Sequence, residues 1–185
     1  MVTELRPQVV RGMPMQEPAK ATLTELADLI EREHHGFLRE WLPRLDHLLA
    51  EALPGVEPLR LKFDSLHSVL DQHLRSEERR VFPRIRALEA RGRHAAPTAD
   101  QGATTDLIEH LEFEHGIVGA MLAEIETLLG ESPLPRDAQE GLRSLAANLR
   151  EHVRLENESL FPRAKDLDRA SSPSHKRKHS DGDDH

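Results

Sequence analysis

Three rows of residues recur at steps of three and four along the chain. Phe63, Leu66, Leu70, His73, Glu77 and Val81 form one; Ile108, Leu111, His115, Val118, Leu122, Ile125 and Leu129 form the next; Leu142, Leu145, Leu149, His152, Glu156 and Leu160 form the last. Each row is the buried stripe of an amphipathic helix. A less regular stretch, about Ala21 to Ala52, predicts one more helix ahead of them. Breaker-rich segments separate the four: LPGVEP (53–58), RGRHAAPTADQG (91–102) and GESPLPRD (130–137). No segment shows the strict alternation of a half-buried strand. Long helices joined by short loops are antiparallel neighbours, so the expected fold is all-α: an up-down-up-down antiparallel four-helix bundle.

The second and fourth helices also repeat each other. HLRSEERRVFPRI (73–85) and HVRLENESLFPRA (152–164) share a His, a Glu four residues on, Phe-Pro nine and ten on and Arg eleven on, at an offset of 79. His35-Gly36 and His115-Gly116 stand 80 apart, so the first and third helices correspond as well. Two helix pairs related by an internal two-fold repeat would supply one set of side chains from each half to a site on the axis. The bundle is expected to occupy 21–169. Residues 1–20, with three prolines and no sustained period, are expected to be a flexible lead-in, and 170–185 a disordered polar tail.

The polar members of the stripes carry the chemistry. A His and the Glu four residues after it lie one above the other on a helix face, so His73–Glu77 and His152–Glu156 would both place a carboxylate in the core. A buried carboxylate is costly unless it neutralises or finds a cation. One such pair means little, because the same spacing occurs on solvated faces. Two pairs in register, with His115 inward on a third helix, point to a metal site, for which imidazole and carboxylate together suit iron, zinc, manganese or copper. In the first helix, Leu23, Ile30, Phe37 and Trp41 turn His34 inward, whereas Leu38, Leu42 and Leu45 turn His35 inward. The period alone leaves both open.

Composition narrows the function. The 185 residues include 33 acidic and 25 basic ones, for a formal charge of −8, which argues against nucleic acid as a partner. Cysteine is absent, which removes disulfides, thiolate metal sites and a cysteine nucleophile, while histidine occurs 12 times. No apolar run is long enough to span a membrane, and no export signal pattern begins the chain, so the expected location is the cytoplasm. His94 and His110 are expected to face solvent, and His175, His179 and His185 belong to the tail.

HxxxEExxxFP (73–83), EHGIVGAM (114–121) and HVRLENESLFPRA (152–164) resemble the ligand motifs of hemerythrin-like (HHE) domains, and EHHGFLREWLPRL (33–45) resembles the first helix of that fold. Within the group the similarity is greatest to the repair-of-iron-centres di-iron proteins, whose pattern of His, Arg four on and Leu-Pro seven and eight on is met by His35, Arg39, Leu42 and Pro43. The resemblance spans about residues 22–168. It implies two iron ions in a non-haem, oxo- or hydroxo-bridged centre, with Glu77 and Glu156 as bridges and His35, His73, His115 and His152 as terminal ligands. It also selects His35 over His34. Glu78 and Asn157, following the two glutamates, are candidate hydrogen-bond partners of the imidazoles.

The chain departs from the family twice. Members carry a further His soon after the first helix, where this sequence has Leu53-Pro54-Gly55-Val56; His47 or His67 could substitute, though neither sits in a matched motif. Longer members also carry an N-terminal domain with a cysteine pair, and this sequence contains no cysteine. The implied function is binding of, or reaction with, oxygen, nitric oxide or peroxide in oxidative or nitrosative stress or iron-centre repair, with iron–sulfur proteins as partners. A metal-dependent sensor or interaction module is the alternative. True catalysis ranks lower, because Tyr and Cys, two common redox relays, are both absent.

Overall fold

The computed structural model describes residues 20–52, 54–92, 102–130 and 132–170, and these form four long helices. Helix α1 runs through Leu23–Leu29, a wider π-helical turn at Ile30–His35, and Gly36–Ala50. Helix α2 consists of Glu57–Ser76, a π-turn at Glu77–Val81, and Phe82–Arg91. Helix α3 is Ala103–Gly130 without interruption. Helix α4 comprises Arg136–Leu155, a π-turn at Glu156–Leu160, and Phe161–Ala170. The breaks fall where the sequence places them. Of the expected lead-in and tail only Lys20 and Ala170, the latter the last residue of α4, are described; the rest lies outside the described residues, as do His94, His175, His179 and His185.

Side-chain pairs show that the helices alternate in direction. Arg86 of α2 binds Asp28 and Glu31 near the start of α1, and Arg60 near the start of α2 binds Asp46 near the end of α1. Lys62 pairs with Glu124 and His73 with Glu114 across α2 and α3; Arg150 pairs with Glu126 and Lys165 with Glu112 across α3 and α4. Helix α1 closes the bundle against α4, where Trp41 and Leu45 press on the backbone at Gly141. This is the expected up-down-up-down bundle. No helix among the described residues is long and apolar enough to cross a membrane.

The start of α1 is held twice. Thr22 and Glu25 form a reciprocal cap, and Glu89 from the end of α2 accepts from the Leu23 and Thr24 N–H groups at 2.7 and 2.9 Å. The other half repeats this device, with Asp168 near the end of α4 accepting from the Thr105 N–H at 3.1 Å. Carboxylates at helix N-termini satisfy donors that have no partner within the helix and complement the helix dipole.

The apolar interior is divided. One cluster, including Leu38, Leu45, Phe63, Leu70, Leu122 and Leu149, fills the end of the bundle carrying the short 51–56 connection. Another, including Leu26, Ile30, Phe82, Ile85, Ile108 and Phe161, fills the opposite end. Between the two lies a buried polar layer containing His35, His73, Glu77, His115, His152 and Glu156.

Candidate metal centre

Pro83 and Pro162 set the local geometry of the layer. The sequence suggests that they bend or end their helices, yet both helices continue to Arg91 and Ala170. A proline has no N–H and its ring crowds the carbonyl four residues back. The chain absorbs this with the π-turn just before it, where the N–H of Phe82 bonds the Glu77 carbonyl and that of Phe161 bonds the Glu156 carbonyl. Each inward glutamate therefore stands at the mouth of a π-turn, a feature frequent at functional sites.

The π-turn in α1 resolves the His34/His35 ambiguity. It inserts extra chain between two stretches of ordinary helix, so the phase set by Leu23 and Ile30 and the phase set by Leu38, Leu42 and Leu45 are both correct. His34 and His35 are both buried. Only His35 joins the central cluster.

Four imidazole Nε2 atoms converge on the two carboxylates. His35 lies 3.3 Å from Glu77 Oε2, His73 lies 3.2 Å from Glu77 Oε1, and His115 and His152 lie 3.1 and 3.2 Å from Glu156 Oε2. His152 also approaches Glu77 Oε2 at 3.8 Å, and the Nε2 atoms of His73 and His115 face each other at 3.2 Å. The donor atoms form two groups, His35–His152–Glu77–Glu156 and His73–His115–Glu77–Glu156. Within each group they lie no more than 4.8 Å apart. Both carboxylates belong to both groups. Their four oxygens are buried without hydrogen-bond partners, as are the Nε2 atoms of His35 and His152. Buried polar atoms are otherwise almost always satisfied, so lone pairs converging on common points fit cations.

The outward nitrogens are mostly held. His35 Nδ1 meets Glu78 at 2.7 Å, His73 Nδ1 meets Glu114 at 2.7 Å, and His115 Nδ1 meets Asn157 Oδ1 at 2.9 Å. An oxygen acceptor there keeps the proton on Nδ1 and leaves Nε2 free to bind. Glu78 and Asn157 thus take the places the sequence suggests, whereas Glu114 carried no signal of its own. Phe82 stacks on His35 at 5.7 Å and Phe161 on His115 at 5.9 Å, so these rings brace the imidazoles as well as filling the apolar end. His47 is 72% exposed on its side chain and His67 packs on Phe63, so neither enters the cluster. His110 is also exposed, as expected, and pairs with Glu114 at 3.2 Å.

Neighbouring carboxylates and imidazoles shift one another's titration. Burial alone would lower the imidazole pKa values, but Glu77 raises His73 to about 9 and also raises His35, while Glu156 raises His115. Burial would raise Glu77, yet His73, with His35 and His152, holds it well below the usual carboxylate range. His34 moves the other way, lowered by burial and by His152.

Inward His and Glu drawn from all four helices, with the carboxylate oxygens free of hydrogen-bond partners, define a helical bundle suited to holding cations. Residues 25–164 match the Hemerythrin HHE cation binding domain, and the chain belongs to that family. It is 32% identical over 160 residues to the iron-sulfur cluster repair protein YtfE of Edwardsiella ictaluri (strain 93-146), covering 78% of this chain and 67% of that protein. It is 33% identical over 159 residues to YtfE of Musicola paradisiaca (strain Ech703), covering 78% and 66%. It is 28% identical over 158 residues to a probable iron-sulfur cluster repair protein of Haemophilus influenzae, covering 77% and 66%. The chain spans about two thirds of the length of these relatives.

Proposed function

We infer that the chain is a non-haem di-iron protein that binds or reacts with oxygen, nitric oxide or peroxide and serves iron-centre repair under oxidative or nitrosative stress. The observation that carries this reading is the pair of fully buried carboxylates whose four oxygens have no hydrogen-bond partner and face two groups of imidazoles. Glu77 and Glu156 bridge the two metal positions. His35 and His152 are terminal at one position, and His73 and His115 at the other. Two irons held there supply redox chemistry toward small ligands. The two carboxylates offset part of the metal charge, and Glu78, Glu114 and Asn157 fix three of the four imidazoles. Phe82, Phe161 and the two apolar clusters keep bulk water from the layer. A groove of about 260 Å³ between α3 and α4 reaches His115 and Asn157 from the surface and gives a small ligand an approach. The repair role, and iron–sulfur proteins as partners, rest on the names of the relatives.

Metal analysis of anaerobically purified protein should give two irons per chain. Adding oxygen or nitric oxide to the ferrous protein should change its visible spectrum. Zinc or no metal in the analysis would overturn the iron reading, and an unchanged spectrum would overturn the small-ligand reading.

A further inference from the structure

The internal repeat relates not only the candidate ligands but also what stands behind them. Contact for contact, His35 on Glu78 corresponds to His115 on Asn157, and Phe82 on His35 corresponds to Phe161 on His115. The remaining correspondence is broken. His73 and His152 occupy equivalent places, and so do Glu114 and His34, each one residue before its helix's inward histidine. Behind His73 stands the carboxylate of Glu114 at 2.7 Å. Behind His152 stands the ring of His34, stacked at 5.8 Å. His152 Nδ1, His34 Nδ1 and the Oδ1 of Asn148 are all buried with no hydrogen-bond partner. Glu151 lies near His34 but reaches the surface, where it pairs with Arg154 at 2.7 Å.

The two metal positions therefore differ in support. At the His73–His115 position both outer nitrogens meet an oxygen, and one of these belongs to a carboxylate. At the His35–His152 position only His35 has such a partner, Glu78, which is shared with Arg39 much as Glu114 is shared with His110. An outer carboxylate orients an imidazole and makes it a better donor, and losing such a partner typically weakens metal binding by roughly 10–100-fold. Building on the two-metal reading above, we propose that His34, standing where the other half of the molecule has Glu114, makes the His35–His152 position the weaker of the two, filled last and emptied first.

Anaerobic titration of the metal-free full chain with cobalt(II), followed by visible absorption, tests this. The wild type should take up two ions in separate phases, the second roughly 10–100-fold weaker. His73→Ala should abolish the tight phase and His152→Ala the weak one. His34→Glu should bring the second affinity toward the first, and Glu114→His should weaken the first toward the second, with helicity by circular dichroism confirming the fold. Because Glu114→His tests the same asymmetry from the other half, misfolding of His34→Glu leaves the proposal open to refutation. Two ions bound with equal affinity by the wild type would overturn it while leaving the metal reading standing. So would a second phase indifferent to His34→Glu together with a first phase indifferent to Glu114→His. No uptake at all would overturn the metal reading itself, and this proposal with it.

Discussion

Glu77 is one side chain serving two sites, and that separates it from the histidines. Its oxygens face His73 on one side and His35 and His152 on the other. Glu77→Gln keeps the shape and removes the charge, so the protein should fold with unchanged helicity but lose affinity for both ions. His73→Ala should lose only one. Metal per chain after gel filtration reads the difference, and two ions retained by Glu77→Gln would refute the bridging role. Five of the central residues were legible in the sequence because they satisfied two conditions together, a place on an apolar stripe and a place in the repeat; the sixth, His35, was chosen over His34 by the family resemblance. Glu114 met neither. It lies beside a stripe, and only the packing of α2 against α3 brings it to His73, 41 residues away. His34 was visible only as a conflict of phase.

Helical periodicity assumes a constant 3.6 residues per turn, which is why the elements were legible and the π-turns were not. A π-turn leaves the stripes on both sides intact and shifts one against the other, so it shows in sequence as two phases that disagree. The helix ends carry a plainer lesson. Glu89 caps α1 from another helix, and hydrogen bonds from Thr24 and Leu23 outweigh burial to hold its carboxyl below the ordinary value. A depressed carboxyl contributes stability above its ordinary value of 4.5 and loses that contribution as pH falls through its lowered folded value. Glu89→Gln should therefore cost about 1 kcal/mol at neutral pH, the usual worth of a cap. The gap to wild type should shrink in acid unfolding curves below pH 4.5. Close approach gives a different test. A Cβ at Gly141 would come 2.8 Å from Leu45 Cδ2 and 3.1 Å from Trp41, whereas one at Gly119 meets nothing within 4 Å. Gly141→Val should destabilise by about 1–3 kcal/mol through overpacking. Gly119→Ala should stabilise by roughly 0.5–1 kcal/mol through helix propensity. Thermal melts of the two should move in opposite directions.

The whole molecule is two apolar clusters joined through a polar layer, and the layer is where cohesion depends on what it holds. The apolar ends draw their stability from burial, but the layer buries six ionisable groups that gain nothing from leaving water unless paired. Cations that engage the orphaned oxygens would hold the layer together, because a metal binds the folded state and the unfolded chain has no preformed site. A ligand at a hundred times its dissociation constant stabilises by about 2.7 kcal/mol. For a domain of this size each kcal/mol is worth roughly 2–4 °C. Chelation should thus lower the melting temperature by roughly 5–11 °C on those two scales, and anaerobic ferrous iron should restore it. In the metal-free protein, hydrogen exchange should quicken first at the π-turn amides around Glu77 and Glu156, on the layer itself, before it reaches Phe63 or Ile85 within the apolar clusters. A melting temperature indifferent to chelation and reloading would refute a stabilising role for cations in the layer.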